Sequence, residues 1–346
     1  MNNEIKERQK LLNENGDIAN PGYAKTMLYD YDKTAVKASK WRLKEWDYYY
    51  IGNDSHALCL TVSDMGYIGA ISATVINFKA PSQVTKSAVK PFVFGKFNMP
   101  ETSVVGDVRA VVGKTDFTIT NDGGTRHLFG VYADFGGKGI DLKFDVTLSD
   151  VPSESMVIAT PFSKPKHFYF NQKINCMSAV GTFSVGADSY VFDKASHSLA
   201  TLDWGRGTWT YNNTWYWGSM QTILDDGTPV GFNIGYGFGD TNNATENMIF
   251  YNGKSHKIDD VEFIIPTDDR DRNDYMKEWQ FTSSDERFEL SFTPIIDRYA
   301  PVNLGILAMI PHQVFGLFSG NLVLDDGKVI EIKNALGFAE KVHNRW

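Results

Sequence analysis

Over much of its length the chain alternates apolar and polar side chains with a period of two. Ile140, Leu142, Phe144, Val146 and Leu148 are separated by Asp141, Lys143, Asp145 and Thr147, the pattern of a strand that buries one face. Phe288, Leu290 and Phe292 alternate with Glu289 and Ser291 in the same way. Turn signals stand between such runs: Leu224-Asp225-Asp226-Gly227, Leu324-Asp325-Asp326-Gly327, Asn121-Asp122-Gly123-Gly124 and Tyr251-Asn252-Gly253. Each places a glycine where a tight hairpin needs positive φ. Strand-like segments of about 6–12 residues divided by such turns predict an antiparallel meander, sandwich or barrel.

The one helix expected is short and N-terminal, from Glu4 to Asn13, with Ile5, Leu11 and Leu12 on its apolar side and Asn15-Gly16 ending it. No glycine-rich phosphate loop follows a strand and opens a helix, which disfavours a nucleotide-binding α/β fold. Strand patterning lapses between residues 150 and 170, where VPSES and PFSKPK are rich in Pro and Ser. A division there gives segments 1–165 and 166–346, each long enough for a barrel of roughly eight strands.

The strand and turn pattern predicts an all-β chain, and composition supports an ordered one with a sizeable core: 346 residues, 42% hydrophobic and 14% aromatic. A net charge of −8 argues against nucleic acid and against an anionic membrane, and no Lys/Arg run along the chain offsets it. The two cysteines, Cys59 and Cys176, are too few for a disulfide framework and read as free buried thiols. The charged N-terminus lacks an apolar stretch of signal-peptide length, and no run of about 18 apolar residues occurs. The expectation is a cytoplasmic protein without an integral membrane segment.

Candidate chemistry gathers between Asp203 and Gly253. Trp204, Trp209, Trp215 and Trp217 are half of the eight tryptophans, and each indole brings a large apolar surface and an N–H that wants a partner. In Asp203-Trp204-Gly205-Arg206-Gly207 the glycines bend the backbone or let something approach it closely. An acid beside an indole is partly desolvated, which suits a proton donor; the plainer reading is an Asp203–Arg206 salt bridge at a strand end. Glu246 precedes the apolar Met248-Ile249-Phe250, where it pairs with Arg206 or faces a cavity. Asp203 and Glu246 together are also the pair of carboxylates that glycoside cleavage requires.

His312 sits among Ile310, Val314, Phe315 and Phe318 and reads as a buried imidazole, either a structural hydrogen-bonder or an acid/base group. The remaining histidines lack metal-binding spacing, so neither a metal nor a cofactor is expected. No Gly-x-Ser-x-Gly nucleophile elbow is present. In the first half, Trp41–Tyr50 mixes aromatic and charged residues and reads as an exposed strand with paired ions, or else as a strand that closes a barrel mouth or makes a contact between barrels.

Several phrases together, NPGYA (20–24), RLKEWDYYYI (42–51), LDWGRGTWTY (202–211), TEN (245–247), HQVFGLFSG (312–320) and the terminal GFAE…RW (337–346), resemble the bacterial family catalogued as domain of unknown function 2804. More remotely the chain is similar to the carotenoid 1,2-hydratase and AttH-like group. That resemblance implies two tandem lipocalin-like barrels. It also implies hydration or cyclisation of hydrophobic molecules, with an aspartate protonating an alkene beside aromatic residues. Asp203 is the nearest equivalent here, although Thr201-Leu202-Asp203 replaces the His-Asp-His type phrase of that group.

The leading expectation is therefore a binder of a hydrophobic or amphipathic small molecule. If it is an enzyme, it performs acid-assisted hydration, isomerisation or cyclisation. Asp203, Glu246 and His312 are the catalytic candidates; Trp204, Arg206, Tyr211, Trp215 and Trp217 are the ligand-binding ones. A carbohydrate-binding or glycoside-cleaving protein and a non-catalytic carrier are the alternatives.

Overall fold

A computed structural model of the chain describes residues 2–303, 305 and 307–346. Nearly every apolar/polar alternation becomes a strand, and the strands assemble into two large antiparallel sheets. All four turn signals are hairpins. Gly227 (φ +84°) and Gly327 (φ +83°), for example, link Asn212–Ile223 to Pro229–Tyr236 and Ala308–Val323 to Val329–Arg345.

The path through the first sheet is Ser82–Pro91, Ile68–Asn77, His56–Asp64, Leu43–Gly52, Leu199–Thr208, Phe168–Val185, Ile140–Ser149, Arg126–Gly137, Thr115–Asn121 and Val108–Val112. It curls until the first two of these strands touch the last. The second sheet runs Lys254–Lys257, Met248–Tyr251, Pro229–Tyr236, Asn212–Ile223, Val329–Arg345, Ala308–Val323, Phe288–Tyr299, Trp279–Ser283 and Val261–Ile264. Each curled sheet encloses its own apolar core, around Leu128, Phe144 and Trp204 in the first and Phe232, Trp279 and Phe318 in the second. A third cluster, built on Tyr48, Tyr169, Trp209, Trp217, Phe315 and Phe338, lies where the outer faces of the two sheets meet.

Two expectations change. Residues 4–13 form no helix: Glu4 bridges to Tyr23, and Gln9–Lys10 pair in parallel with Tyr29–Asp30. Isolated helices of this length are marginal in water, and extended pairing buries Ile5, Leu11 and Leu12 in the first core. Among the described residues the sole helical turn is the 3-10 segment Lys33–Ala35. The first sheet also runs past residue 165. Phe168–Val185 and Leu199–Thr208 lie in its middle, and the chain crosses to the second sheet between Thr208 and Asn212. The Pro/Ser-rich stretch around 150–166 marks loops flanking Met156–Pro161 within the first sheet, not the passage between sheets. Among the described residues no helix is long and apolar enough to cross a membrane.

Candidate ligand site between the two sheets

Strand parity decides where the tryptophan-rich segment points. On Leu199–Thr208 the even residues Leu202 and Trp204 belong to the core inside the first sheet, while Asp203 turns outward to the second. Antiparallel register then places three polar side chains in one row on this outer face: Lys173, Asp203 and Tyr48. The next row is Asn171, Gly205 and Trp46. A Cβ at Gly205 would collide with the Trp46 ring, so this glycine is what lets the indole lie flat on the strand.

The second sheet offers a matching row, Gly235, Trp217, Glu340, Gln313 and Arg298, from four neighbouring pairings. The two rows meet. The Lys173 ammonium, 1% exposed, lies 2.8 Å from Asp203 Oδ1 and 4.0 Å from the Trp217 ring centroid. Tyr48 contacts Trp217 edge-on at 5.8 Å. Asn171 donates to Asp203 Oδ1 (2.6 Å). Glu246, 1% exposed, arrives from the loop before Met248–Tyr251 and accepts a hydrogen bond from the Tyr169 hydroxyl at 3.1 Å. Its Oε1 occupies the space that a Cβ at Gly235 would need, so a side chain there would evict the carboxyl. Trp215 Nε1 and Gln313 Nε2 donate to the two oxygens of Glu340, each at 3.0 Å. Trp217 Nε1 donates to Asn233 Oδ1 at 2.7 Å.

One buried ammonium thus pairs with Asp203, and its charge also reaches two further buried carboxyls, Glu246 and Glu340. Burial raises the Glu246 carboxyl, aided by the negative charge of Asp203, and Lys173 opposes the shift. Burial likewise pushes Glu340 up to about 7, against the Trp215 hydrogen bond and the positive charges of Arg298 and Lys173. Both are therefore poised to hold protons that an exposed glutamate would have lost. Three acceptor atoms in this region, Glu246 Oε1, Asn171 Oδ1 and Gln313 Oε1, are buried without a hydrogen-bond partner. Buried polar atoms of this kind ordinarily find one.

A stability prediction follows from Glu340. Its carboxyl binds a proton more tightly in the folded chain (about 7) than at its ordinary value of 4.5. Its stabilising contribution is full below about pH 4.5 and is lost as pH rises through about 7, by about 3 kcal/mol. Glu340→Gln should flatten that slope and be more stable than the parent above neutrality, because Gln313 can present its Oε1 to the new amide. Urea midpoints measured across this pH range check it; an unchanged slope refutes the assignment.

Other candidate residues lie elsewhere. Trp204 and Arg206 face inward: the fully buried guanidinium stacks 4.1 Å from Trp204 and pairs with Asp47 (2.9 Å) and Glu45 (3.5 Å). Neither Asp203 nor Glu246 is its partner, and residues 203 and 206, three apart on a strand, must face opposite ways. The Trp41–Tyr50 ions are likewise not exposed: Lys44 and Glu45 are at most 1% accessible. His312 points away from Gln313, is sandwiched between Tyr275 (3.8 Å) and Tyr299 (4.4 Å), and bonds Asp297 at 2.7 Å. Tyr211 is at the rim, 42% exposed, beneath Arg42. Asp203, Glu246, Trp215 and Trp217 are the candidates the fold brings together. Lys173, Tyr169, Asn171 and Glu340 join them; the alternation of Tyr169, Asn171 and Lys173 with Phe168 and Phe170 is the sequence signal for the first three.

Comparison with known proteins agrees with this architecture. A family model matches residues 2–346. The chain belongs to the family described as Domain of unknown function (DUF2804). No curated protein matches this DUF2804 sequence. Among solved structures, it is similar to an AttH-like protein from Nitrosomonas europaea (11% identity, 87% of this chain and 92% of the other, TM-score 0.54). It also resembles kievitone hydratase from Nectria haematococca (12%, 88% and 88%, TM-score 0.52) and CghA (10%, 98% and 97%, TM-score 0.51). At such identities the likeness is one of fold. Cys59 and Cys176 are free, as expected, but only Cys59 is buried and Cys176 is partly exposed.

Proposed function

We propose that this DUF2804 protein binds a hydrophobic or amphipathic small molecule between its two sheets and carries out acid-assisted hydration, isomerisation or cyclisation on it. The observation that supports this reading best is the buried cluster of Lys173, Asp203, Glu246 and Glu340 under aromatic rings, with acceptor atoms left unpartnered. One of the structurally similar proteins is a hydratase.

The roles divide by environment. Glu246, raised by burial and unpartnered at Oε1, is the proton donor. The Tyr169 hydroxyl holds Glu246 in place through its Oε2, and the electron-rich rings around the cluster stabilise the cation that forms when an alkene carbon takes that proton. Water adds to the cation, and the proton it releases passes to Asp203, which Lys173 and Asn171 hold in place; loss of a neighbouring proton instead gives isomerisation. This moves the donor role from Asp203 to Glu246 and makes His312, on the other face of its strand, a structural group.

The test is incubation with a panel of polyene and prenylated alkenes in heavy-oxygen water, read by mass spectrometry alongside tryptophan fluorescence. The parent protein should incorporate solvent oxygen. Glu246→Gln should lose about 10²–10⁴ in turnover while keeping the fluorescence response. Full turnover in Glu246→Gln overturns the catalytic assignment. A panel that changes neither fluorescence nor mass overturns binding as well.

A further inference from the structure

At one end of the first sheet, aromatic side chains stand in water. Trp41 is 54% exposed, Phe92 61% and Phe94 37%. They come from two segments far apart in sequence. Trp41 packs edge-on to Phe94 at 5.2 Å and stacks on Tyr67 at 6.0 Å; Phe92 stacks on Phe94 at 6.4 Å. Phe92 and Phe94 both have positive φ, +55° and +42°, a conformation that costs a bulky residue energy and is rare. A loop strained in this way presents two phenylalanines outward when a plainer turn would leave them free to pack.

Charge around these rings is of one sign. Residues 33–44 contain five Lys/Arg and no acid, and residues 65–100 contain four lysines and no acid, in a chain whose net charge is −8. Lys40 adjoins Trp41, and Lys90 and Lys96 bracket the phenylalanine loop; all three are exposed. Among the described residues none of the three lies within ion-pair distance of a carboxylate. The nearby Asp64 is buried and accepts from the Gly66 and Gly95 amides.

We propose that this end of the first sheet docks on an anionic lipid surface. Trp41, Phe92 and Phe94 insert at headgroup level, and Lys40, Lys90 and Lys96 lie against the negative charge. Exposed aromatic side chains ringed by lysines are the combination that favours the bilayer interface. A second copy of the chain would set lysine against lysine. Nucleic acid would call for rings with both faces open to bases and for a cationic fork beside them, but Trp41 has one face on Tyr67 and Phe92 one face on Phe94, and Arg42 is turned in toward the Trp346 carbonyl and the Tyr211 ring. The patch also continues inward: Lys44 Nζ lies 4.3 Å from the Tyr67 ring and 5.6 Å from that of Trp346, which packs on Trp209 and Trp215. Docking stands on its own, whatever the ligand between the sheets proves to be.

The experiment is co-sedimentation of the full chain with vesicles of phosphatidylcholine alone or mixed with phosphatidylserine, with tryptophan emission followed in parallel. Trp41 is the only exposed one of the eight tryptophans, so insertion should shift emission to the blue on anionic vesicles, and Trp41→Phe should abolish the shift. Removing one lysine, as in Lys90→Gln, should weaken partitioning about fivefold, and the triple Lys40→Gln/Lys90→Gln/Lys96→Gln variant about 100-fold. Phe92→Ser should lose binding with an unchanged circular dichroism spectrum. Equal binding to both vesicle types, or an unaffected triple variant, overturns the proposal. So does a salt-resistant dimer through this face, or an oligonucleotide bound by these residues when vesicles are not.

Discussion

Arg206→Met is expected to destabilise the protein by about 3–5 kcal/mol, the usual cost of removing one partner from a buried ion pair. Arg206 is fully buried inside the first sheet, where its guanidinium serves Asp47, Glu45 and the carbonyls of Trp46, Gly205 and Pro100 at once. Burial already raises both Asp47 and Glu45, and Arg206 is the largest opposing influence on each. Without it both carboxyls must take up protons or remain as isolated charges. Lysine is a poor substitute, because an ammonium lacks the planar fork that reaches several acceptors together. Chemical denaturation gives the loss directly. Adding Asp47→Asn to Arg206→Met should recover part of it; a double variant no better than the single one would show that the acids are not the source.

Lys173→Met should cost a similar amount, about 3–5 kcal/mol, by a different route. Among the described residues Lys173 is the sole ammonium paired with Asp203, and its positive charge also reaches Glu246 and Glu340. Its removal leaves three acids of like sign in one apolar region, and the loss should be smaller at low pH, where they are protonated. Asp203→Asn in the Lys173→Met background should restore stability, with a coupling energy well above the few tenths expected for independent sites. A pH-independent loss would mean that Lys173 acts through its packing on Trp217 alone.

What was legible in the chain was local. Alternation located strands such as Ile140–Ser149 and Phe288–Tyr299, and glycine-bearing turns located four hairpins, because both signals depend on neighbours a few residues apart. The N-terminal segment departs from its helical pattern for the complementary reason: Ile5, Leu11 and Leu12 are held by pairing with residues 18–30, which outweighs a weak helical preference. The candidate site was half legible. Asp203, Glu246, Trp215 and Trp217 stood out by composition. Lys173 and Glu340 did not, because they reach the cluster through pairing between distant strands, as where Trp217 stands opposite Glu340, and through side-chain bonds 125 residues apart in sequence, as between Trp215 and Glu340. Parity was the clue left unused: an odd spacing along one strand by itself sends Asp203 and Arg206 to opposite faces. The basic aromatic end was hidden by the overall acidity, since lysines 40, 90 and 96 meet only after folding.

The order of strands in the first sheet has a consequence for how the chain is made. Leu43–Gly52 finds its central neighbour only in Leu199–Thr208, so early strands wait through roughly 150 residues of synthesis with one backbone edge unsatisfied. At ribosomal rates of about 5–20 residues per second the wait is on the order of 10 s. During it the half-built sheet is an open template for pairing with other chains. Sequence distance between strands side by side at the centre of one sheet thus becomes time spent vulnerable in the cell.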